Sequence, residues 1–413
     1  MTKQTAAPRG EMPEARLTHQ RNAFVDRLRE QRIVHTPEVE EVLRTVPHHP
    51  FVPGELLDAA YTSLLPHPAA TRTAAEPALA ALLLEQAQVR PGMRVLLIGP
   101  TTGYLAALLA HLTGVHSHVT VVNPDPGLAQ AAISHLHALG YDGVHVVSSQ
   151  ASLGHTDGAL YDLVVATEEI ADVPAPWLQQ ITREGRLVVP LRLRGSLYRI
   201  ISFARINDHW TAAHHETSAY IPPPSGGVTS DPLRLAALDE ASAVTLHLHP
   251  DQNVNGSSLF RVLNQKRHEV WTQVPMTAGD SFDLLLLYVA CSLAGGLSRM
   301  TVREEPIGTS MITPVFPWGT MAVPGEGDLA YITLRGADTT TVASELVRKV
   351  GVIGHGPEGS SLAEGVAHYV RLWDREFRDG WVRINLQRAD ALQRIDGQFV
   401  YDGLDTRLVI DWI

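Results

Sequence analysis

The chain has 413 residues, a formal charge of −11, and 45% hydrophobic against 19% charged residues. That length supports two or three cores, and the composition is that of an ordinary globular protein. The negative balance, with no Lys/Arg run, excludes phosphate-backbone binding as the main task, so no nucleic-acid partner is expected. A single cysteine, Cys291, excludes an internal disulfide and fits a reducing cytoplasm. No run reaches the ~18 apolar residues of a membrane span, so the expected location is cytoplasmic, away from membranes.

Residues 1–16 are polar and read as a disordered leader. Apolar residues then recur at helical spacing in RNAFVDRLREQ and PEVEEVLRTV, where Thr36 is placed to cap and Pro37 to open a helix. After a Pro/His/Ala-rich loop (66–75), strands and helices alternate. EPALAALLLEQAQV is a helix, RVLLIG a strand, TTGYLAALLAHLTG a helix, HVTVVNP a strand and GLAQAAISHLHALG a helix. VHVVSS, YDLVVATEE and GRLVVPLRL are further strands, with VPAPWLQQI a helix before the last of them. SLYRIISFARI and HWTAAHHET form a closing antiparallel pair. Such alternation predicts a parallel sheet covered on both faces. IPPPSGGVTSDP is the linker, its core at 226–232. It divides an α/β domain (17–225) from an α+β domain (233–413). In the second domain AVTLHLH, DLAYITL and RLVIDW read as strands, and DLLLLYVACSL, TVASELVRKV and SLAEGVAHYVRLWDREF as helices.

The strand–turn–helix of Arg94–Tyr104, RVLLIGPTTGY, has the layout that cradles a nucleotide in doubly wound α/β proteins. Its turn keeps Gly99 and Gly103, followed by Tyr104, but carries Thr101 between them. Leu97 fills a position where such sites usually hold a carboxylate. The ribose ligand is expected after the next strand, at Asn123. An amide there accepts less than a carboxylate and without charge, at a cost of about 1.5–3 kcal/mol per lost charged hydrogen bond.

The stretches RNAFVDRLREQRIVHTPEVEEVLRTVPHHPFVPG, VRPGMRVLLIG, LYDLVVAT and TREGRLVVPLRLRG resemble the protein-L-isoaspartate O-methyltransferase family. With FPWG (316–319), DLAYITLR, GVIGHGPEG and the ending RLVIDW, the chain is similar to the longer FxLD-system subgroup, which acts on ribosomally made, modified peptides. The resemblance implies a class I (Rossmann-like) methyltransferase fold with an additional C-terminal α+β domain, an S-adenosylmethionine cofactor and a peptide substrate. The departures fall on the family's functional positions. The TISQP-like motif is TAAEP, with Ala75 and Glu76 at its Ser and Gln; Leu97, Thr101 and Asn123 replace two acids and a glycine. Gln150-Ala151-Ser152 stands near the Gly-Asp-Gly of the adenine side. The expected cofactor state is therefore none, or weak S-adenosylmethionine, on Gly99, Thr101, Gly103, Tyr104, Asn123 and Gln150.

Polar groups remain where α/β sheets place their sites. Glu168 and Glu169 end a strand, Glu76 precedes a helix, and His67 and His155 lie in loops expected at the same rim. Together they compose a candidate general acid–base group; solvated surface or helix capping is the plainer reading of the same residues. No metal is expected: His116/His118 and His247/His249 are i, i+2 pairs with no third ligand nearby. GHGPEGSS reads as a loop capped by Ser360 or Ser361, with anion binding as the alternative. The expectation is a precursor-peptide binder that has lost ordinary methyl transfer, acting by cofactor-free acid–base chemistry or as a scaffold beside an active pathway enzyme. The alternative is a working carboxyl O-methyltransferase that forms an Asp methyl ester or aspartimide on a peptide.

Overall fold

A computed structural model describes residues 14–52, 60–61, 77–114, 118–216, 233–277, 280, 282–303, 312–342 and 345–413. Helix α1 (Glu14–Glu30) begins inside the expected leader and buries Leu17, Phe24, Val25 and Leu28, spaced as one helical face. In α2 (Pro37–Thr45), Pro37 occupies the first turn as expected, but Thr36 does not cap with its hydroxyl. Instead Thr36 Oγ1 donates to Glu85 Oε1 (3.2 Å), which also accepts from the amides of His35 and Thr36. Glu85 lies on α3 (Pro77–Ala87), so one buried carboxylate ties the α1–α2 turn to the next helix.

The alternating series follows as β1 (Arg94–Ile98), α4 (Tyr104–Thr113), β2 (His118–Asn123), α5 (Pro126–Ala138), β3 (His145–Ser148), β4 (Tyr161–Ala166), α6 (Ala175–Gln179) and β5 (Ile181–Arg194). These strands pair in parallel, β1 lying between β2 and β4. In β1, Val95 and Leu97 enter one core while Leu96 and Ile98 enter the other, as expected of a strand covered on both faces. The strands β6 (Leu197–Ile206) and β7 (His209–Glu216) then form the expected antiparallel pair.

The next strands are β8 (Arg234–Ala237), β9 (Val244–Leu248) and β10 (Arg267–Met276), followed by α7 (Phe282–Ser292). Strands β11 (Ser298–Val302), β12 (Gly319–Pro324), β13 (Leu329–Val342) and β14 (Glu345–His355) lead to α8 (Gly359–Glu376) and to β15 (Val382–Arg388), β16 (Phe399–Asp402) and β17 (Thr406–Trp412). The second sheet runs β10-β14-β13-β12-β11-β9-β8, and the first runs β16-β17-β15-β7-β6-β5-β4-β1-β2-β3.

Three expectations are corrected here. The sheets do not divide at the expected linker, because the last three strands of the chain return to the first sheet. They pair through Leu386 opposite Trp210 and Asn385 opposite Thr211, whose hydroxyl donates to Asn385 Oδ1 (2.9 Å). The described part of TVASELVRKV is not helical: Thr341 and Val342 end β13 and residues 345–350 begin β14, with Leu334 opposite Val350 and Thr341 opposite Leu346. Its β-branched residues suit a strand, and β14 is paired on both sides, so the ladder overrides the local helical spacing. Finally, neither Ser360 nor Ser361 caps α8; the amide of Glu358 donates to Asp328 Oδ1 (2.7 Å). The chain's own carboxylate thus fills the place of an external anion in that glycine-rich loop.

Candidate functional site

The turn after β1 closes on itself. Gly99 has φ 125° and its amide donates to the Val122 carbonyl, 3.0 Å away; a Cβ there would overlap Thr167 Oγ1. Gly103, at φ 109°, would bring a Cβ within 3.1 Å of the Phe51 ring. Both glycines are therefore required by close approach within the chain itself. Thr101, fully buried, accepts from the Gly103 amide through Oγ1 (3.0 Å). Asn123, also fully buried, donates from Nδ2 to the Thr101 carbonyl (2.9 Å) and accepts at Oδ1 from the Asp125 amide (3.1 Å). Both ends of the amide are used inside the loop. Leu97 is sealed among apolar side chains, and Tyr104 is buried with its ring 4.6 Å from that of His48 and 5.6 Å from that of Phe51.

At the carboxyl end of β4 the structure places Glu168 and Glu169 side by side, both buried, at 1% and 5% exposure. Glu169 Oε1 pairs with Arg192 Nε (3.4 Å), and the same guanidinium reaches Asp251 Oδ1 (3.4 Å) on the loop after β9. Arg194 joins Asp251 Oδ2 at 3.4 Å. Glu169 is thus the buried end of an ion network that runs out to the exposed Asp251 and joins the first sheet to the second region, a structural demand that competes with any role as a general base.

His155 corrects the expectation of a shared rim. Its carbonyl accepts from Tyr161 OH (2.9 Å), and its ring lies 5.5 Å from that of His145 at the start of β3. Tyr161 opens β4 and Glu168 follows its end, so His155 sits at the opposite end of the strands, roughly 20 Å away along them. Gln150 is exposed and donates to Ser152 Oγ (2.9 Å), while the Ala151 carbonyl accepts from Trp177 Nε1 (2.9 Å). Glu76, His67 and His116 lie outside the described residues. Sequence reasoning missed Arg192, Asp251, Tyr198 and Arg299. A signal was present for the first: Arg192 and Arg194 interrupt the apolar run LVVPLRLR at alternate positions, as in a strand with one face on a polar partner.

His247 and His249 lie in this seam; among the described residues there is no group of three His, Cys, Asp or Glu placed to hold a metal. His249 Nε2 is 3.0 Å from Ser196 Oγ at the tip of the β5–β6 hairpin. Burial, helped by the charges of Arg192 and His247 and opposed by Asp251, lowers its pKa to about 3. Burial and Arg299 lower His247 to about 4. His48 falls to about 4 by burial, opposed by the Ala60 carbonyl, with His49 adding to the fall. These folded values lie below the ordinary 6.5, so folding favours the neutral rings. Stability is then full above pH 6.5 and is lost as pH falls toward 3–4. His48 and His249 should each remove roughly 2 kcal/mol between pH 7.5 and 5. Urea midpoints at the two pH values test this, and a flat response would contradict it.

A parallel sheet with a glycine turn after its first strand, a buried polar residue ending the second and acidic residues after the fourth defines a Rossmann-like class I methyltransferase fold. Residues 19–226 match the family model "Protein-L-isoaspartate(D-aspartate) O-methyltransferase", and the chain belongs to that family. It is 36% identical over 167 residues to the protein-L-isoaspartate O-methyltransferase of Ignicoccus hospitalis, covering 40% of this chain and 79% of that relative. It is 34% identical over 171 residues to enzyme 2 of that name from Archaeoglobus fulgidus, covering 41% and 78%. A solved protein-L-isoaspartate O-methyltransferase aligns over 88% of this chain and 96% of its own, at 16% identity and TM-score 0.44. A Plasmodium falciparum structure described as a complex with S-adenosyl-L-homocysteine covers 45% and 90%, at 14% identity and TM-score 0.39. Among the described residues no helix is long and apolar enough to cross a membrane.

The family's cofactor is S-adenosylmethionine, and the turn's polar groups are bonded to one another as follows. The position for a ribose acid is an amide committed to Thr101 and Asp125, and that for the preceding acid is a buried leucine. The Gly103 amide at the start of α4 is already bonded to a threonine hydroxyl.

Proposed function

We propose that this chain is an atypical family member that binds a peptide and has lost ordinary methyl transfer, serving a ribosomal-peptide modification system of the FxLD kind. The observation that carries this reading is the Asn123–Thr101–Gly103 hydrogen-bond set. It satisfies inside the protein the polar groups that a nucleoside donor would need. Five departures at separated functional positions, with the surrounding shell kept, support the same reading. Asp162 still accepts from the Arg94 amide (2.9 Å), and Tyr104 and the strands remain packed.

Of the two roles open to such a protein, binding is favoured over acid–base chemistry. Glu169 is occupied by Arg192, Glu168 is buried, and His155 is at the far end of the strands. The role is that of a binding partner holding a precursor peptide for an active enzyme of the pathway.

Isothermal titration with S-adenosylmethionine tests the cofactor half. No heat is expected at millimolar ligand; micromolar binding would return the chain to the family's carboxyl O-methyl transfer, yielding an Asp methyl ester or aspartimide on a peptide. Mass spectrometry of a candidate precursor incubated with the protein should show binding without a change in mass.

A further inference from the structure

Arg299 is the guanidinium at this seam that no carboxylate balances among the described residues. Arg192 and Arg194 have Asp251, and Arg199 has Asp283 at 2.6 Å. Arg299, part-exposed on β11, instead lies over the Trp318 ring, 4.3 Å from its centroid, and donates through Nη1 to Tyr198 OH (3.3 Å). Its Nε is buried with no hydrogen-bond partner.

The segment Phe316–Gly319 builds this arrangement. Its ends exchange two backbone hydrogen bonds, 2.9 and 3.0 Å, and Gly319 has φ 139° where a Cβ would overlap the Met300 carbonyl. That tight turn presses Trp318 onto β11, and Phe316 stacks behind it at 4.9 Å with rings 11° from parallel. Of its polar neighbours Tyr198 and His247 carry no charge, and the nearby Glu169 is paired with Arg192. Burial holds the Tyr198 hydroxyl protonated, with Arg299 opposing and Glu169 reinforcing, and His247 is neutral at ordinary pH. Tyr198 stands opposite Arg192 in the β5–β6 ladder, so Arg299 faces the carboxyl end of β4, where sheets of this class place their ligands. A half-desolvated guanidinium over an aromatic face, its Nε closed off, keeps its two Nη groups as the end-on fork for a carboxylate.

We infer that Arg299, backed by Trp318 and flanked by Tyr198, is a receptor for a side-chain carboxylate of the bound peptide. This rests on the peptide-binding reading above and adds the chemistry that selects the peptide.

The test is titration of the full chain with three probes. These are a capped octapeptide of alanine and glycine with one central aspartate, its asparagine counterpart, and succinate. The aspartate peptide should bind at least about tenfold tighter than the asparagine peptide. Arg299→Met should abolish that preference, and Arg299→Lys, which keeps the charge and loses the fork, should retain only part of it. Arg335→Met, removing a guanidinium 4.3 Å over Trp271 elsewhere on the second sheet, should change neither. If Arg299→Met fails to fold, Arg299→Lys against the native chain carries the comparison. Equal binding of both peptides overturns the carboxylate receptor and leaves peptide binding standing. Arg299-dependent succinate binding without affinity for either peptide supports the receptor and removes the peptide reading. No binding of any probe overturns both.

Discussion

Gly195→Val should destabilise the protein by about 3–5 kcal/mol, combining strain at a left-handed backbone position with overpacking against a neighbouring chain segment. Gly195 has φ 56° at the tip of the β5–β6 hairpin. A Cβ there would overlap the Leu297 carbonyl and come within 2.8 Å of the Leu297 amide nitrogen, both backbone atoms that cannot rotate away. The contact also aligns the Ser196 amide with the Leu297 carbonyl (2.6 Å) and the Gly195 amide with Asp251 Oδ2 (3.3 Å). Forcing the tip outward therefore breaks the ion network and the Ser196–His249 bond together. Gly92→Val is the matched control. Gly92 has φ 81° with nothing within 4 Å of its added Cβ, so only conformational strain of about 1–3 kcal/mol remains. Urea unfolding of the two variants separates clash from strain; equal losses would show that the seam relaxes around the new side chain.

Leu97→Glu, which installs an acid where the family's pattern has one, should cost about 4 kcal/mol or more and create no donor binding. Leu97 is fully buried in the helical-side core, opposite Val121 on one neighbouring strand and Val165 on the other. The change removes roughly 2–3 kcal/mol of apolar burial and adds the desolvation of a carboxyl group. The acid would also find the Gly103 amide already bonded and Asn123 already committed. A loss under about 1 kcal/mol, with new affinity for S-adenosylmethionine, would mean that a solvated donor pocket exists at this position, and the self-closed turn would be the wrong description.

Much of the first sheet was legible because its signals are local. Buried apolar runs of five or six residues, such as RVLLI and YDLVVA, separated by glycine turns and apolar helices, can only alternate in a covered parallel sheet. The turn glycines were legible as glycines, but their reason was not: Gly99 yields to Thr167, a residue 68 positions later. The site read less well. His155 and Glu168 are 13 residues apart in the sequence. They fall at opposite ends of the strands because the whole of β4 runs between them. Arg299 and Tyr198, 101 residues apart, meet only where β11 of the second sheet reaches β6 of the first.

The amino-acid sequence by itself determined the alternating architecture, the family resemblance and the presence of Leu97 and Asn123 around the glycine turn, since each depends on residue type and short-range spacing. Only the tertiary structure decided that Asn123 spends its amide on Thr101 and Asp125, and that residues 345–350 are strand rather than helix. It also returned the last strands to the first sheet and left Arg299 without an acid among the described residues. The physical reason is common to all of these. Hydrogen-bond partners and counter-charges are chosen by packing between distant segments, and no local period in the chain records that choice.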